Sequence, residues 1–534
     1  MKTTIKNLIL SAVLVVGGAS CVDLDTAPYD RETDLTYWEE DPEAAVKALN
    51  TCYTYLGNMD EQLYCEAMTD NAYTKQPNDA TQNIGNGSYS TADPYVKKVW
   101  DGRYTGIRMC NELLENIDRV PDLDPELKKR YIGEAKVLRA YNYYELYTKF
   151  GDVPYTTKVL SIKESMSIAR TAKATVIANV LADLDEVING NYLPTSYDAD
   201  NKGRITRWAA MAIKAKIYLF EGNWTQVKNI TSTIMTEGGF TLFGSYAGLF
   251  EIANEYNSEV ILDAQYRPTS REHQMMYAFL PPSLGGYSQL SPLQELVDSY
   301  IMLDGKTIKE TGTSFDESNP YANRDPRLKA TVMYTGNSYT LADGTEVVIN
   351  CEKGEGKDGY GVGSDCSATG YYIKKYWDNT YRATLYSGLN PILIRYADIL
   401  LMNAEALAEL GELDKMAWDA TIKPIRDRAG FTLTSAVEFP EGASKDKLIE
   451  IVRNERRSEL ALEGHRHKDI IRWRIADDVL NGWCHGLKTN EVVGTDNGYV
   501  RVENRAFNAN RHYLWPIPQA ERDLNGNLEQ NPNW

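Results

Sequence analysis

Glu455 and Glu459 stand one helical turn apart in IVRNERRSELALEG, in phase with Leu448, Val452 and Leu462. A helix through this segment turns both carboxylates toward its apolar side. A carboxylate pair can do the acid–base work of glycoside hydrolysis. It can equally sit in a buried ion-pair network, with Arg395 or Arg426 of neighbouring segments as partners, because a buried charge needs a partner. Nothing in the sequence marks an apolar pocket that would raise the pKa of one of the two, so the network reading stands ahead of the catalytic one. His465 and His467 flank Arg466, with Asp469 nearby. Such a pair at a helix end points its rings in different directions, and no further cluster completes a shell, so neither a metal nor another cofactor is expected. The chain contains no Gly-x-Ser-x-Gly and no Gly-x-x-x-x-Gly-Lys, and the glycines around Gly361 lack the strand–turn–helix context of phosphate binding.

Aromatic side chains supply the remaining chemistry. The chain holds 36 Tyr and 10 Trp against 10 Phe, a bias toward rings with a polar tip that suit half-wet surfaces. Sugar rings have apolar CH faces that stack on Tyr and Trp, while amides and carboxylates bond the hydroxyls. Tyr64, Tyr73 and Tyr89 lie among Asp70, Asn71, Gln76, Asn78, Gln82 and Asn83, and a later region adds Tyr287, Tyr321, Tyr360 and Trp377. Tyr73, Tyr89, Tyr287, Tyr321 and Trp377 are the candidate ligand contacts. The mix suits a glycan platform and would also serve a peptide groove, and most tyrosines are expected to pack in the core with hydroxyls reaching its edge.

The N-terminus sets the compartment. Residues 1–20 combine Lys2 and Lys6, the apolar run Leu8 to Val16, and small residues before Cys21, the pattern of a signal peptide. The run is too short to span a bilayer. Small residues ahead of a cysteine match a lipobox, with Gly18 where Leu or Val is usual, so Cys21 is expected to carry acyl chains and residues 21–40 to form a tether. Net charge is −18, and −20 once Lys2 and Lys6 are removed with the signal. Such a surface repels phosphate backbones and anionic headgroups. Nucleic acid is therefore not an expected partner, and membrane attachment is expected to be covalent. Six cysteines follow: Cys52, Cys65, Cys110, Cys351, Cys366 and Cys484. They allow fifteen pairings; Cys351 and Cys366 flank a glycine-rich loop in a placement that would let them join.

A chain of 534 residues exceeds one typical core, and its periodicity tells how it is divided. Ala140, Tyr143, Tyr147 and Phe150 step by three and four, as do Trp208, Ala212, Ala215, Leu219 and then Ala397, Leu400, Ala404, Leu407. Two of these helices stop at Gly222 and Gly411 and run into a second helix, a small-residue pattern that resembles tetratricopeptide units. With 42–57, 95–118, 126–149 and 172–190, the sequence predicts a mainly α protein: a tetratricopeptide-like scaffold of about four helix pairs with a loop-rich, strand-poor inserted lobe. The expected divisions are 1–20, 21–40, a helical region at 41–239, the inserted lobe at 240–390 and a helical region at 391–534. Pro424 predicts a kink or a later helix start.

Several segments together resemble the SusD/RagB-like family. They are GEAKVLRAYNYYELYTKFGDVPY, GRITRWAAMAIKAKIYLFEGNW, NRDPRL, NPILIRYADILLMNAEALAELG, IRDRAG, ERRSELALEGHRHKDIIRW and RHYLWPIPQAERDLNGNLEQNPNW, in the family's order. The resemblance covers nearly the whole mature chain. It implies a non-catalytic surface lipoprotein of the outer membrane that caps a SusC-like TonB-dependent barrel and binds oligosaccharides, or in some branches peptides. It also implies that Arg395, Asp398, Glu405, Glu455, Arg456 and Glu459 are network residues of the scaffold, while ligand contacts lie in loops that match no motif.

Overall fold

The computed structural model describes residues 33–75, 80–380 and 384–534. The export segment 1–20, Cys21 and the first part of the tether lie outside the described residues, as do Gln76 and Asn78.

Helices α1 (Ala44–Tyr53), α2 (Pro94–Asn116), α3 (Pro125–Phe150), α4 (Lys173–Asn189), α5 (Arg207–Phe220), α6 (Trp224–Glu237) and α7 (Tyr396–Leu410) form the scaffold with α8 (Lys415–Ala420), α9 (Ile422–Ala429) and α10 (Lys445–Glu459). From α1 to α7 each helix packs on the next, and α7 packs on α10. Local chemistry sets the ends. Asp93 accepts from the N–H groups of Tyr95 and Val96 ahead of Pro94, and Asp124 accepts from Leu127 ahead of Pro125, the cap-then-proline order that suits a helix start. Gly222 and Gly411 adopt positive φ, +68° and +74°, where a side chain would be strained. The chain breaks at Thr421 and restarts at Ile422, so Pro424 occupies the first turn of α9, where its missing N–H costs nothing.

Small residues let the helices approach. Ala209, Ala210, Ala212 and Ala215 of α5 are fully buried. A Cβ added at Gly106 of α2 would lie 2.8 Å from Tyr55 Cβ and 2.9 Å from Asn142 Nδ2, closer than real side chains pack. Helix α7 is apolar around most of its circumference because it divides two cores. Ile399, Met402 and Ala406 face the main helical core, and Ala397, Leu400, Leu401 and Ala404 face a second one with Trp418, Ile422 and Val452.

Strands are short: β1 (Ala72–Thr74), β2 (Val260–Asp263), β3 (Leu290–Pro292), β4 (Val332–Met333), β5 (Ser338–Thr340), β6 (Glu346–Val348), β7 (Tyr372–Ile373), β8 (Ile392–Arg395), β9 (Asn481–Lys488), β10 (Thr495–Asp496) and β11 (Tyr499–Ala506). They pair antiparallel as β1–β3, β2–β8, β4–β7 and β5–β6, and as the three-stranded β10–β11–β9. Around them lies a third core with Met59, Phe250, Tyr300, Leu328, Tyr339, Tyr372 and Tyr376. Part of the tyrosine bias resides in such cores. Tyr143, Tyr147, Tyr300, Tyr339, Tyr371, Tyr372 and Tyr376 are fully buried. Several of their hydroxyls donate to carbonyls, Tyr143 to Thr156 at 2.8 Å, Tyr339 to Ile373 at 2.6 Å and Tyr376 to Leu462 at 3.0 Å.

The strand-bearing region is joined to the helices by charge. Arg395, at the end of β8, donates to Glu259 at 2.7 Å, to Glu459 at 2.7 Å and through two nitrogens to Glu463 at 2.7 and 2.8 Å. Arg327 meets Asp325 at 2.7 Å, Glu455 at 2.7 Å and Glu459 at 2.8 Å. Arg426 bonds Glu455 at 2.7 Å, Arg428 bonds Glu459 and Glu259, and Lys375 bonds Glu463 at 2.6 Å. These five cations and five carboxylates cancel, which is what makes their burial tolerable. Beside them Arg456 holds Asp398 at 2.6 Å and Asp469 at 2.9 Å, and Arg472 holds Glu405 at 2.6 Å.

The six cysteines Cys52, Cys65, Cys110, Cys351, Cys366 and Cys484 are free thiols. Cys351 and Cys366, whose placement would let them join, are thus not bonded: the Cys366 thiol donates to the Lys357 carbonyl at 3.2 Å, and the loop between them is closed by backbone bonds, Tyr360 N–H to Cys351 O at 3.1 Å among them.

Two predictions follow from the network. Replacing Glu459 by Gln leaves Arg327, Arg395 and Arg428 under-compensated and is expected to lower stability by about 3–5 kcal/mol. Replacing Glu450, whose pair with Lys447 is solvent-exposed, is expected to change it by less than about 1 kcal/mol; urea unfolding of the two variants compares them. The second concerns pH. Burial pushes the Glu459 carboxyl up, but Arg428, Arg395 and Arg327 outweigh it and hold the group far below its ordinary 4.5. Glu455, Glu463 and Asp398 are likewise held low, their cationic partners outweighing burial. Each binds its proton less readily folded than unfolded, so its stabilisation is whole above the ordinary carboxyl range and is lost as pH falls below it. Burial pushes Glu66, Glu255 and Asp263 up to about 7. Their contribution is lost as pH rises toward 7, and below pH 4 they are protonated in both states. The thermal midpoint is therefore expected to fall steeply below pH 4, with a shallower acid slope in Glu459→Gln.

Candidate ligand-binding surface

Glu455 and Glu459 are 1% and 0% exposed. A general acid at neutral pH needs a raised pKa, whereas their arginine partners hold both low. His465 and His467 line a cavity of 110 Å³ with Glu145, Lys149, Lys216 and Lys468. Burial, reinforced by nearby lysines, brings both rings to about 3, so they are neutral. His465 Nδ1 lies 3.4 Å from Lys216 Nζ, and His467 packs 6.1 Å from Trp515. Among the described residues no three His, Cys, Asp or Glu side chains converge as a metal shell.

The five nominated aromatics scatter. Tyr89 is buried, its ring 4.8 Å from Trp534 and 5.0 Å from His512, so it presents no face to a ligand. Tyr73 is half-buried on β1, where its hydroxyl accepts from Gln82 at 3.2 Å. Tyr321 is half-buried, stacked on Tyr334 at 4.0 Å with its hydroxyl 3.2 Å from Tyr371. Trp377 is half-buried, packs on Tyr339 and donates to the Thr340 carbonyl at 2.8 Å. Tyr287 alone of the five is well exposed, at 47%. The hydrophobic effect draws loop aromatics inward unless their surroundings hold them out.

Tyr287 is held out by its turn. Gly285 adopts φ +87°, and a Cβ on Gly286 would sit 2.1 Å from the Leu280 carbonyl oxygen. Only glycines let the PPSLGGY loop fold back this tightly. The return lets Tyr287 N–H donate to the Tyr277 carbonyl at 2.8 Å and stacks the two rings 5.7 Å apart at 14°. Tyr386, 36% exposed, stands edge-on to Tyr277 at 6.4 Å, its hydroxyl bonded by the Gln274 amide. The strand pair β1–β3 leads into this surface. Lys75 N–H donates to Gln289 O at 2.9 Å, and Tyr64 donates to Gln289 Oε1 at 3.2 Å. Three tyrosines with amides at their edges form a ridge that can stack a flat apolar face and bond polar groups around it. Sequence reasoning found Tyr287 and missed Tyr277, Gln274 and Tyr386. No spacing joins Gln274 to Tyr386, 112 residues apart; the bridge His273–Ser387 brings them together.

Comparison with known proteins agrees with this architecture. A profile described as "SusD family" matches residues 249–534, and one described as "Starch-binding associating with outer membrane" matches residues 37–219. SusD-like protein P25 of Formosa agariphila is 27% identical over 514 residues, covering 89% of this chain and 91% of that protein. The crystal structure of a SusD-like carbohydrate binding protein of Bacteroides fragilis superposes with a TM-score of 0.81 at 29% identity, covering 92% of this chain and 100% of that one. A laminarin binding SusD-like protein shares the fold at a TM-score of 0.69 and 24% identity, covering 92% and 99%. No helix among the described residues is long and apolar enough to cross a membrane. On the sequence profile and on the fold alike, the chain belongs to the SusD family.

Proposed function

We propose that the protein is a non-catalytic glycan-binding lipoprotein of the outer-membrane surface, held there by acyl chains on Cys21, and that it caps a SusC-like TonB-dependent barrel during uptake. The observation that carries the glycan reading is the exposed ridge of Tyr277, Tyr287 and Tyr386 with Gln274 at its edge. Pyranose rings stack on such faces while side-chain amides take their hydroxyls. The names borne by relatives point the same way: a starch-binding description for the family and a carbohydrate binding protein at 29% identity. The absence of a catalytic role is supported by the burial of Glu455 and Glu459 against arginines, which denies them substrate and protons alike. Coupling to a barrel would let even weak ligand binding suffice, because capture and transport then share one assembly.

Isothermal calorimetry against soluble polysaccharides and against peptides tests the ligand class. Binding of peptides and of no glycan would overturn the sugar reading in favour of a peptide-binding lid of the same family. With a bound glycan in hand, Tyr287→Ala is expected to weaken affinity by about 1 kcal/mol or more, roughly five- to tenfold, without lowering the thermal midpoint. For the anchor, Cys21→Ala is expected to move the protein from the membrane fraction to the soluble one, read by fractionation and immunoblot. Co-purification of a barrel with the wild-type protein tests the partner.

A further inference from the structure

The strand pair β1–β3 has two ends. Its Lys75–Gln289 end leads to the tyrosine ridge, while at the other end Leu293 N–H bonds Asn71 O at 2.9 Å and a second recess begins. Four residues of strand, roughly 13 Å at ~3.3 Å each, separate the two. The recess measures 480 Å³ and runs between the helix Gln294–Ser299, the segment Thr307–Lys309, α10 and the start of β9. That volume falls in the range of about 300–1,000 Å³ typical of small-ligand sites.

Its wall is Trp483, 45% exposed on β9. An indole left so open forfeits burial that folding would otherwise supply, and among the described residues only the Arg501 guanidinium, 5.5 Å from its centroid, makes a ring contact with it. Polar groups of both kinds converge around it. Asp298 accepts one bond from Gln294 at 2.7 Å. Asn454 donates to the Ser299 carbonyl at 3.1 Å. Arg457 is fixed by bonds to Asn71 at 2.9 Å and to the Asp70 carbonyl at 3.0 Å. Lys309 and Asp478 stand exposed at the rim. A flat apolar wall beside fixed carboxylate, amide and guanidinium groups meets the two needs of a pyranose: a surface for its CH face, and paired donors and acceptors for vicinal hydroxyls. Carboxylates and cations are nearly balanced in the lining, Asp70, Glu295, Asp298 and Asp478 against Lys309, Arg457 and Arg505, so no excess of positive charge draws in a polyanion, and the polar floor disfavours an apolar ligand.

We infer that the Trp483 recess is a second saccharide subsite, separate from the tyrosine ridge, that stacks a neutral sugar ring on the indole and bonds its hydroxyls through Asp298, Asn454 and Arg457. The inference rests on the glycan-binding reading above, and the two fail differently. Affinity electrophoresis in gels cast with laminarin, amylopectin, xylan or polygalacturonate tests both. In a gel that retards the wild-type protein, Trp483→Ala is expected to raise the apparent Kd about fivefold or more. It should also add to the loss caused by Tyr287→Ala, and Trp483→Phe should restore most of the binding. Asp298→Asn, which removes the recess carboxylate but can still accept the Gln294 bond, carries the comparison if Trp483→Ala lowers the thermal midpoint. Wild-type retardation of Trp483→Ala, or of Asp298→Asn in that event, would overturn the second subsite and leave the glycan-binding reading standing. No retardation of the wild type in any of the four gels, with no hit on a glycan array, would overturn both.

Discussion

Arg395 sits where the helical scaffold meets the strand-bearing region, and it is the charge on which that junction turns. Its guanidinium binds carboxylates from three places in the chain, Glu259 before β2 and Glu459 and Glu463 at and beyond the end of α10. Arginine suits this post because its planar fork makes several charge-assisted bonds at once and does not lose its proton. Arg327, Arg426, Arg428 and Lys375 complete the balance. An unbalanced member would leave a charge stranded away from water, so geometry rather than affinity is what the cluster contributes. It fixes how α7 and α10 sit against the third core, and through that the frame on which β1–β3, the tyrosine ridge and the Trp483 recess are mounted.

This division of labour explains which parts of the molecule were legible in the sequence. The helices were, because apolar spacing and small residues read directly as packing: α5 and α7 stand where their alanines place them, and Gly222 and Gly411 end them with positive φ. The carboxylates of α10 were partly legible. Their phase showed that they face inward, and Arg395 and Arg426 were named as partners. Glu259, Arg327 and Arg428 were not, since each arrives from a segment whose approach only the tertiary fold defines. Residues 323–328 were noticed as a motif without a role; Asp325 and Arg327 now supply one.

The candidate surface was least legible, for a physical reason. An aromatic in a loop is recognisable by type, but its exposure depends on what covers it. Tyr89 lies under Trp534, a residue at the far end of the chain. Tyr287 escapes burial because two glycines reverse the backbone beside Leu280. Trp483 drew no notice because it lies outside both stretches in which binding aromatics were sought, the one around Tyr64 to Tyr89 and the inserted lobe at 240–390. Surface loops can vary in this way without disturbing the charged junction, which is consistent with one scaffold presenting different ridges to different ligands.

The span of the charged cluster has a kinetic consequence. Arg395 and Glu259 are 136 residues apart in sequence, and Arg327 and Glu459 are 132 apart. Contacts at such separations demand that long loops close before any bond rewards them. The helices of the first half, rich in local contacts, can therefore collapse early, while the junction, built from long-range pairs, is expected to assemble later. Until it does, Arg327 and its neighbours are hydrated ions with no reason to leave water. The same carboxylates and guanidinium groups that lock the finished structure keep the half-made one soluble and open to rearrangement.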